Sequence, residues 1–449
     1  MVAMLRRSTL LFARLGVLLA LGLAVSGTAA RATAGANDPV FEQGLQWGLE
    51  HIGVPQAWAT SRGDGVTIAI VDSGIDLGHE DLSGKVVAQT SCIGTGGDSG
   101  KCSGSAQDDN GHGTHVAGIA AATTDNHRGV AGVAPDAKLL VVRVLTNTCG
   151  NDGCSATGTS GDVAAGIRWA ADHGADIINL SLGGGTLQGA LGCAFCDAID
   201  YAWSKGVISV IAAGNDSLLP AGFGNEPAVV VTATTRDDAR ASYSNASSGI
   251  LQSARWPVSA PGGEGETDKA DCATGGTPKG VLSTYWISGH QNEYACLAGT
   301  SMAAPHVSGV LALLLAQGRT PQGAVDRLLA TARDLGTPGR DPSFGVGIID
   351  AAKAVGPAPP ASSTSGAPTT KGTSATTGAP TTGASSTEAP TTSGTDAPIG
   401  TLPSTGQAAP LRSSSDDEPP GALVALAVIL VLSTAATTGA AAWRLRQEP

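Results

Sequence analysis

The chain has 449 residues, of which 14% are charged and 4% aromatic, with 63 glycines. That length holds one large α/β domain with room for further segments. A formal charge of −12 argues against nucleic acid or an anionic membrane surface as the main partner.

At the N-terminus Arg6, Arg7 and Arg14 precede an apolar run, Leu15 to Val25, and then mostly small residues. This is the pattern of a secretory signal peptide, assigned to residues 1–32, with cleavage expected after Ala30 or Ala32. Eight cysteines in an exported chain point to disulfides rather than metal ligands. They allow on the order of 100 connectivities. Proximity in sequence pairs Cys92 with Cys102, Cys149 with Cys154, Cys193 with Cys196 and Cys272 with Cys296. Cys193 and Cys196 have the spacing of a redox motif, but their surroundings favour a staple.

Residues 33 to about 60 form a lead-in, too short for an independently folded inhibitory domain. The peptidase-sized body that follows is assigned to 33–356 together with this lead-in. Val66 to Val71 is a β-branched run that predicts a strand, and His112 to about Thr124 is an Ala-rich helix. Lys138 to Leu145, Ala175 to Leu182, Val207 to Ala213 and Ala228 to Ala233 read as strands. Gly161 to His173 and Asp197 to Ser204 read as helices, followed by Ser301 to Gln317 and Pro321 to Leu335. Near-continuous apolar strands separated by helical periods predict an α/β, three-layer fold with a mainly parallel sheet covered on both faces. The cysteine-bearing stretches 91–107, 146–160, 184–196 and 262–296 read as loops.

From 357 to 420 the composition shifts to Pro, Thr, Ser, Ala and Gly, and Ala-Pro-Thr-Thr recurs at 367, 379 and 389. Such a segment cannot bury a core and is expected to be a disordered stalk. Residues 421–443 carry no charge and are long enough for a transmembrane helix across a core of ~30 Å. Arg444 and Arg446 behind the span make 444–449 a short cytoplasmic tail and leave the body outside the membrane.

Three short segments carry the chemistry. Val71-Asp72-Ser73-Gly74 ends the first strand, where open α/β sheets place their ligands. Asn110-Gly111-His112-Gly113-Thr114-His115 leads into a helix, and Gly299-Thr300-Ser301-Met302-Ala303-Ala304-Pro305-His306 opens another. A carboxylate can orient an imidazole, the imidazole can take a serine proton, and the serine can attack a carbonyl. Ser301 alone fits an ordinary helix cap as well as a nucleophile. Gly299 is expected to permit a sharp turn before it, and Pro305 to occupy the first helical turn. The helix N-terminus disfavours imidazolium at His112 while Asp72 favours it. His115, His306 and Asp76 read as structural.

Taken in this order, the three segments resemble the subtilisin family of serine peptidases, and Asn37-Asp38-Pro39 with Ile119 to Pro135 is similar to its thermitase-like branch. The resemblance spans about residues 37 to 356. It implies a catalytic set of Asp72, His112 and Ser301, with Ala212-Ala213-Gly214-Asn215 as the oxyanion element and Asn215 as its amide donor. It implies that Ser181, Leu182 and Gly183 pair with an extended substrate, with Ala212 and Gly214 beside them. Glycines at 183, 184 and 214 suit large apolar side chains in the first pocket, whereas Asp216 suits a basic one. The chemistry needs no cofactor. Asp81 matches a calcium position, with Asp38 as a second, and both are oxygen donors suited to that ion.

The domain layout is similar to that of mycosins, and Leu402-Pro403-Ser404-Thr405-Gly406 resembles a sortase sorting signal. The expected protein is therefore an exported, surface-anchored serine endopeptidase acting through an acyl-enzyme on protein or peptide substrates. Membrane anchoring through 421–443 and wall linkage through Leu402 to Gly406 both remain open. Its rivals are a catalytically silent peptide-binding or adhesive surface protein, and a mycosin-like protease of a secretion system.

Overall fold

The computed structural model describes residues 36–150, 153–182, 195–217, 223–248, 253–264 and 278–356. The leader, the stalk, the span at 421–443, Leu402 to Gly406, Gly183, Cys193 and Cys272 lie outside the described residues. Among the described residues no helix is long and apolar enough to cross a membrane.

The strands are β1 Thr67–Asp72, β2 Val86–Ser91, β3 Lys138–Arg143, β4 Thr146–Gly150, β5 Gly153–Thr157 and β6 Ile177–Leu180. They continue with β7 Ile208–Ala212, β8 Ala228–Thr234, β9 Trp256–Pro261, β10 Val281–Tyr285 and β11 Glu293–Leu297. Five helices matter for the site: α1 His112–Ala121, α2 Ser160–Asp172, α3 Cys196–Ser204, α4 Thr300–Leu315 and α5 Pro321–Thr331. Seven strands form one parallel sheet in the order β2-β3-β1-β6-β7-β8-β9. The chain builds β3 and β2 on one side of β1 and then crosses to the other side at β6. The crevice at the carboxyl ends of β1 and β6 is therefore the topological switch point, where such sheets hold their ligands.

Both sheet faces are apolar, as a parallel sheet requires. Alternation along β1 sends Ile68 and Ile70 into the core beneath α1 and α4, while Ala69 and Val71 enter the core beneath α2 and α3. Helix α4 is buried from Thr300 to Leu314, which explains why it is apolar all round rather than striped. The expected three layers are thus present.

The lead-in is part of this body. It forms three single-turn helices, Pro39–Glu42, Trp47–His51 and Val54–Ala57, and contributes Phe41, Trp47, Leu49, Ile52 and Trp58 to the core. Trp47 Nε1–H donates to Gly280 O at 2.8 Å and Trp58 Nε1–H to Val133 O at 3.0 Å, so neither indole buries an unpaired donor.

Two stretches read as loops are hairpins instead. β4 pairs with β5 and β10 with β11, both antiparallel. Residues 91–107 do form a loop, closed by the expected Cys92–Cys102 disulfide. Cys149, Cys196 and Cys296 are also disulfide-bonded. In the β4–β5 hairpin the register sets Cys149 opposite Cys154.

Candidate active site

Asp72 is the last residue of β1 and is fully buried. Its Oδ1 lies 2.8 Å from His112 Nδ1 and also accepts the Ser73 N–H at 2.7 Å. His112 is the first residue of α1, so its ring stands at a helix N-terminus with 17% of the side chain exposed. Burial works to lower the His112 pKa. The Asp72 charge and hydrogen bond, with a smaller push from Asp108, outweigh it and hold the pKa above its ordinary 6.5. The carboxylate thus prevails over burial.

Ser301 is the second residue of α4, and the structure corrects two expectations about its surroundings. Pro305 lies inside the helix, past its first turn. Its missing N–H would have bonded the carbonyl four residues back, that of Ser301. That carbonyl instead accepts Ser181 Oγ–H at 2.7 Å. Asn179 Nδ2 donates to Ser181 Oγ, and Ser308 Oγ donates to Asn179 Oδ1, so a buried polar chain fastens α4 to the end of β6. Proline thus frees an acceptor that seats the helix on the sheet. Ser301 Oγ itself donates to Ser181 O at 3.1 Å. Among the described residues no hydrogen bond joins it to His112.

The second correction concerns Gly299. Its φ of 160° and ψ of 161° are extended backbone, so no sharp turn requires glycine here. The requirement is space. A Cβ on Gly299 would stand 3.3 Å from Asn215 Nδ2 and 3.7 Å from Ser301 N. The missing methyl therefore leaves a niche beside two N–H donors. Asn215 Oδ1 accepts both the Thr300 N–H and Thr300 Oγ1–H at 2.9 Å, which turns the amide so that Nδ2 faces that niche. Thr300 Oγ1 in turn accepts the Gly214 N–H at 3.1 Å.

A model of the subtilase family matches residues 63–347, and this stretch contains every residue of the geometry just described. The chain is a subtilase. It is 40% identical over 323 residues to thermitase of Thermoactinomyces vulgaris, covering 71% of this chain and 98% of that protein. It is 36% identical over 285 residues to subtilisin DY of Bacillus licheniformis, covering 61% of this chain and 86% of that one. Among solved structures, proteases from Pseudoalteromonas arctica PAMC 21717 match with a TM-score of 0.56 and 34% identity, covering 72% of this chain and 98% of that chain. This subtilase is accordingly a thermitase-like serine endopeptidase.

In this subtilase Ala212 ends β7, Ala213 and Gly214 follow it, and Leu182 is buried beside Ser181. Gly214 has φ +100°, and a Cβ there would reach 2.5 Å from Asn245 Nδ2. Asn245 was not legible as a site residue. It holds the whole segment by donating to Ala213 O and accepting the Asp216 N–H, while Gly214 O accepts its own N–H. Asp216 Oδ2 is buried without a partner next to Asn215, and burial pushes its carboxyl up.

His115 and His306 each contact main-chain carbonyls. His115 Nε2 lies 3.1 Å from Val281 O and 3.0 Å from Ala295 O, tying α1 to the β10–β11 hairpin. His306 Nδ1 lies 2.8 Å from Met302 O. Burial lowers their pKa values to about 3 and about 4, so both remain neutral. Asp76 makes a local turn, its Oδ1 accepting the Gly78 N–H.

Asp38 and Asp81 are both buried and face the segment 123–130. Burial raises the Asp38 pKa, with the Asp81 charge adding to it. Asp38 accepts the N–H groups of Asp125 and Asn126, while Asp81 accepts Asn126 Nδ2–H, the Val130 N–H and Tyr294 Oη–H. No group of three or more His, Cys, Asp or Glu side chains gathers among the described residues. The two carboxylates are oxygen donors of the kind a hard cation takes.

Proposed function

We propose that Ser301 is the nucleophile of this endopeptidase, that His112 is its base, and that Asp72 orients His112. Asn215 Nδ2 and the Ser301 N–H receive the oxyanion. One observation carries this reading. The pairing of Ile70 with Asn179 places Asp72 level with Ser181 at the carboxyl ends of neighbouring strands. Asp72 holds His112, and Ser181 holds Ser301. The two halves of the reaction are thus fastened side by side on one rigid sheet edge.

Substrate is read along Ser181, Leu182 and Gly183, mostly through its main chain. Ser301 Oγ leaves the Ser181 carbonyl and turns to His112 Nε2, a contact that often tightens only in the Michaelis complex. His112 takes the proton as Oγ attacks the scissile carbonyl carbon. The carbonyl oxygen gains negative charge beside Gly299, facing Asn215 Nδ2 and the Ser301 N–H. Collapse expels the amine, which takes the proton from His112, and water repeats the sequence to release the acid.

Purified wild-type chain should be labelled by a fluorophosphonate and should cleave casein. A folded protein that does neither would instead support the silent, adhesive reading. Asn215→Leu is expected to cut kcat by about 10²–10³-fold with little change in KM, a range known for the same position in a subtilisin of this family. Because Thr300 loses its acceptor, stability should also fall by about 1–3 kcal/mol. An unchanged kcat would remove Asn215 from the oxyanion site. A peptide library decides between the two first-pocket preferences, large apolar or, through Asp216, basic.

Calcium, where bound, would be held by Asp38 and Asp81, and would neutralise two buried carboxylates without entering the reaction. Chelation is expected to lower Tm, and Asp81→Asn to abolish that decrease. A Tm that ignores both chelator and added calcium would dismiss the ion.

Export rests on residues 1–32, and surface anchoring on the span 421–443 and the stalk 357–420. Truncation after residue 356 should release active enzyme from the membrane fraction. Sortase linkage through Leu402 to Gly406 is the second reading, and the mycosin-like role in a secretion system is a third.

A further inference from the structure

Near the His112–Asp72 pair lies a second carboxylate that the proposed reaction does not use. Asp108 is 1% exposed, and no Lys or Arg pairs with it among the described residues. Its two oxygens accept five hydrogen bonds instead. Oδ1 takes Ser73 Oγ–H at 2.9 Å, the Asn110 N–H at 2.9 Å and the Gly111 N–H at 3.0 Å. Oδ2 takes the Thr114 N–H at 3.0 Å and Thr114 Oγ1–H at 2.5 Å. Ser73 Oγ accepts the Gly113 N–H at 3.0 Å. Ser73 follows Asp72 and Gly113 follows His112, so one carboxylate grips the neighbour of each member of the pair.

The backbones here approach closely. A Cβ on Gly113 would come 2.0 Å from Gly74 O, and one on Gly74 would come 2.4 Å from Ala106 O. The exit of β1 and the entry of α1 therefore touch main chain to main chain at Gly74 and Gly113, and the Thr114 hydroxyl that donates to Asp108 also accepts the Asp76 N–H.

We propose that Asp108 is a positioning residue for this reaction, fixing the entry of α1 against the exit of β1 and thereby the approach of His112 to Asp72. This rests on the reading of Asp72, His112 and Ser301 above. A carboxylate suits the task because five donors converge on two oxygens, more than a neutral amide oxygen can accept. Burial raises the Asp108 pKa while the hydrogen bonds from Gly111, Thr114 and Asn110 oppose that rise, and in its ionised form its charge raises the imidazole pKa in the same sense as Asp72. The other charged or titratable groups about this loop are Asp109, paired with Arg143, Tyr285 and the neutral His115.

The test compares Asp108→Asn and Ser73→Ala with wild type, with kcat expressed per site titrated by the fluorophosphonate. Asp108→Asn is expected to lower kcat by about 10²-fold, as a misplaced catalytic group does, with KM within about twofold. Its acid limb of kcat/KM should move to lower pH. Ser73→Ala cuts the link but keeps the charge, so kcat should fall by about tenfold while the acid limb stays in place. A merely structural role would lower Tm and the number of titrated sites but leave kcat per site unchanged. Unchanged kcat per site in both variants overturns the proposal, and if Asp108→Asn does not fold, Ser73→Ala decides alone. Failure of the underlying reading would look different, because wild type itself would then not be labelled.

Discussion

Replacing Ser301 by alanine is expected to lower kcat by about 10⁶-fold, the magnitude known for the nucleophile of a subtilisin in the same family. The substitution removes Oγ and with it the acyl-enzyme path. It leaves the two backbone features that seat the residue. The Ser301 carbonyl still accepts Ser181 Oγ–H, and the Ser301 N–H still faces the Gly299 niche. Only the hydrogen bond from Ser301 Oγ to Ser181 O is lost, so Tm should change by no more than a few degrees. KM should hold, because the substrate edge at Ser181 and Leu182 is untouched. Fluorophosphonate labelling should vanish. A Ser301→Ala protein that keeps kcat within tenfold of wild type would overturn the acyl-enzyme assignment.

Asp72→Asn is expected to cost about 10⁴-fold in kcat, the scale seen when the orienting carboxylate of such a triad is neutralised. The asparagine can keep its amide oxygen where Oδ1 stands, accepting from Ser73 N–H and His112 Nδ1–H. Its NH₂ then occupies the Oδ2 position, which is buried without a partner, so a donor is stranded there. The charge that stabilises imidazolium is gone in either orientation of the amide. The pH dependence follows from the sign of the His112 shift. As the proposed base, His112 would work as neutral imidazole, and its pKa is held above the ordinary 6.5, so wild-type activity should fall as pH drops through that raised value. In Asp72→Asn the acid limb should move to lower pH while the plateau falls. Stability runs the opposite way in wild type. The raised pKa of His112 contributes stability below the unfolded value, and that contribution is lost as pH rises through the folded one. A variant whose acid limb does not move would deny Asp72 its influence on His112.

Much of the fold was legible because its signals are local. Strands β1, β3, β6, β7 and β8 are short apolar runs, and the paired register reproduces the predicted strands to within a few residues. Within the parallel sheet, the strands that escaped notice are those with mixed signals. β2 alternates burial and exposure and carries a bulge at Val86 to Ala88, while β9 contains Pro257 and Pro261, which ordinarily argue against a strand. β9 tolerates them because it ends the hydrogen-bonded sheet, with residues 346–349 laid along it. Asp108 carried a faint signal, an acid shortly before a helix start, and that pattern alone is no more than a cap.

The sequence by itself determined the family resemblance, the parallel three-layer body and the residue types needed for acyl transfer. Those rest on local hydrophobic period and on short contiguous motifs. Tertiary structure alone decided why glycine stands at 299, what Pro305 accomplishes and which residues hold the site together. The niche at Gly299, proposed above to receive the oxyanion, exists only once Asn215, after β7, meets Ser301, at the start of α4. The carbonyl freed by Pro305 finds its donor in Ser181, just past β6 and some 120 residues away in sequence. Ser301, which could pass for a helix cap when read locally, becomes a candidate nucleophile through partners distant along the chain. Their convergence is set by strand order and register, which a linear motif does not contain.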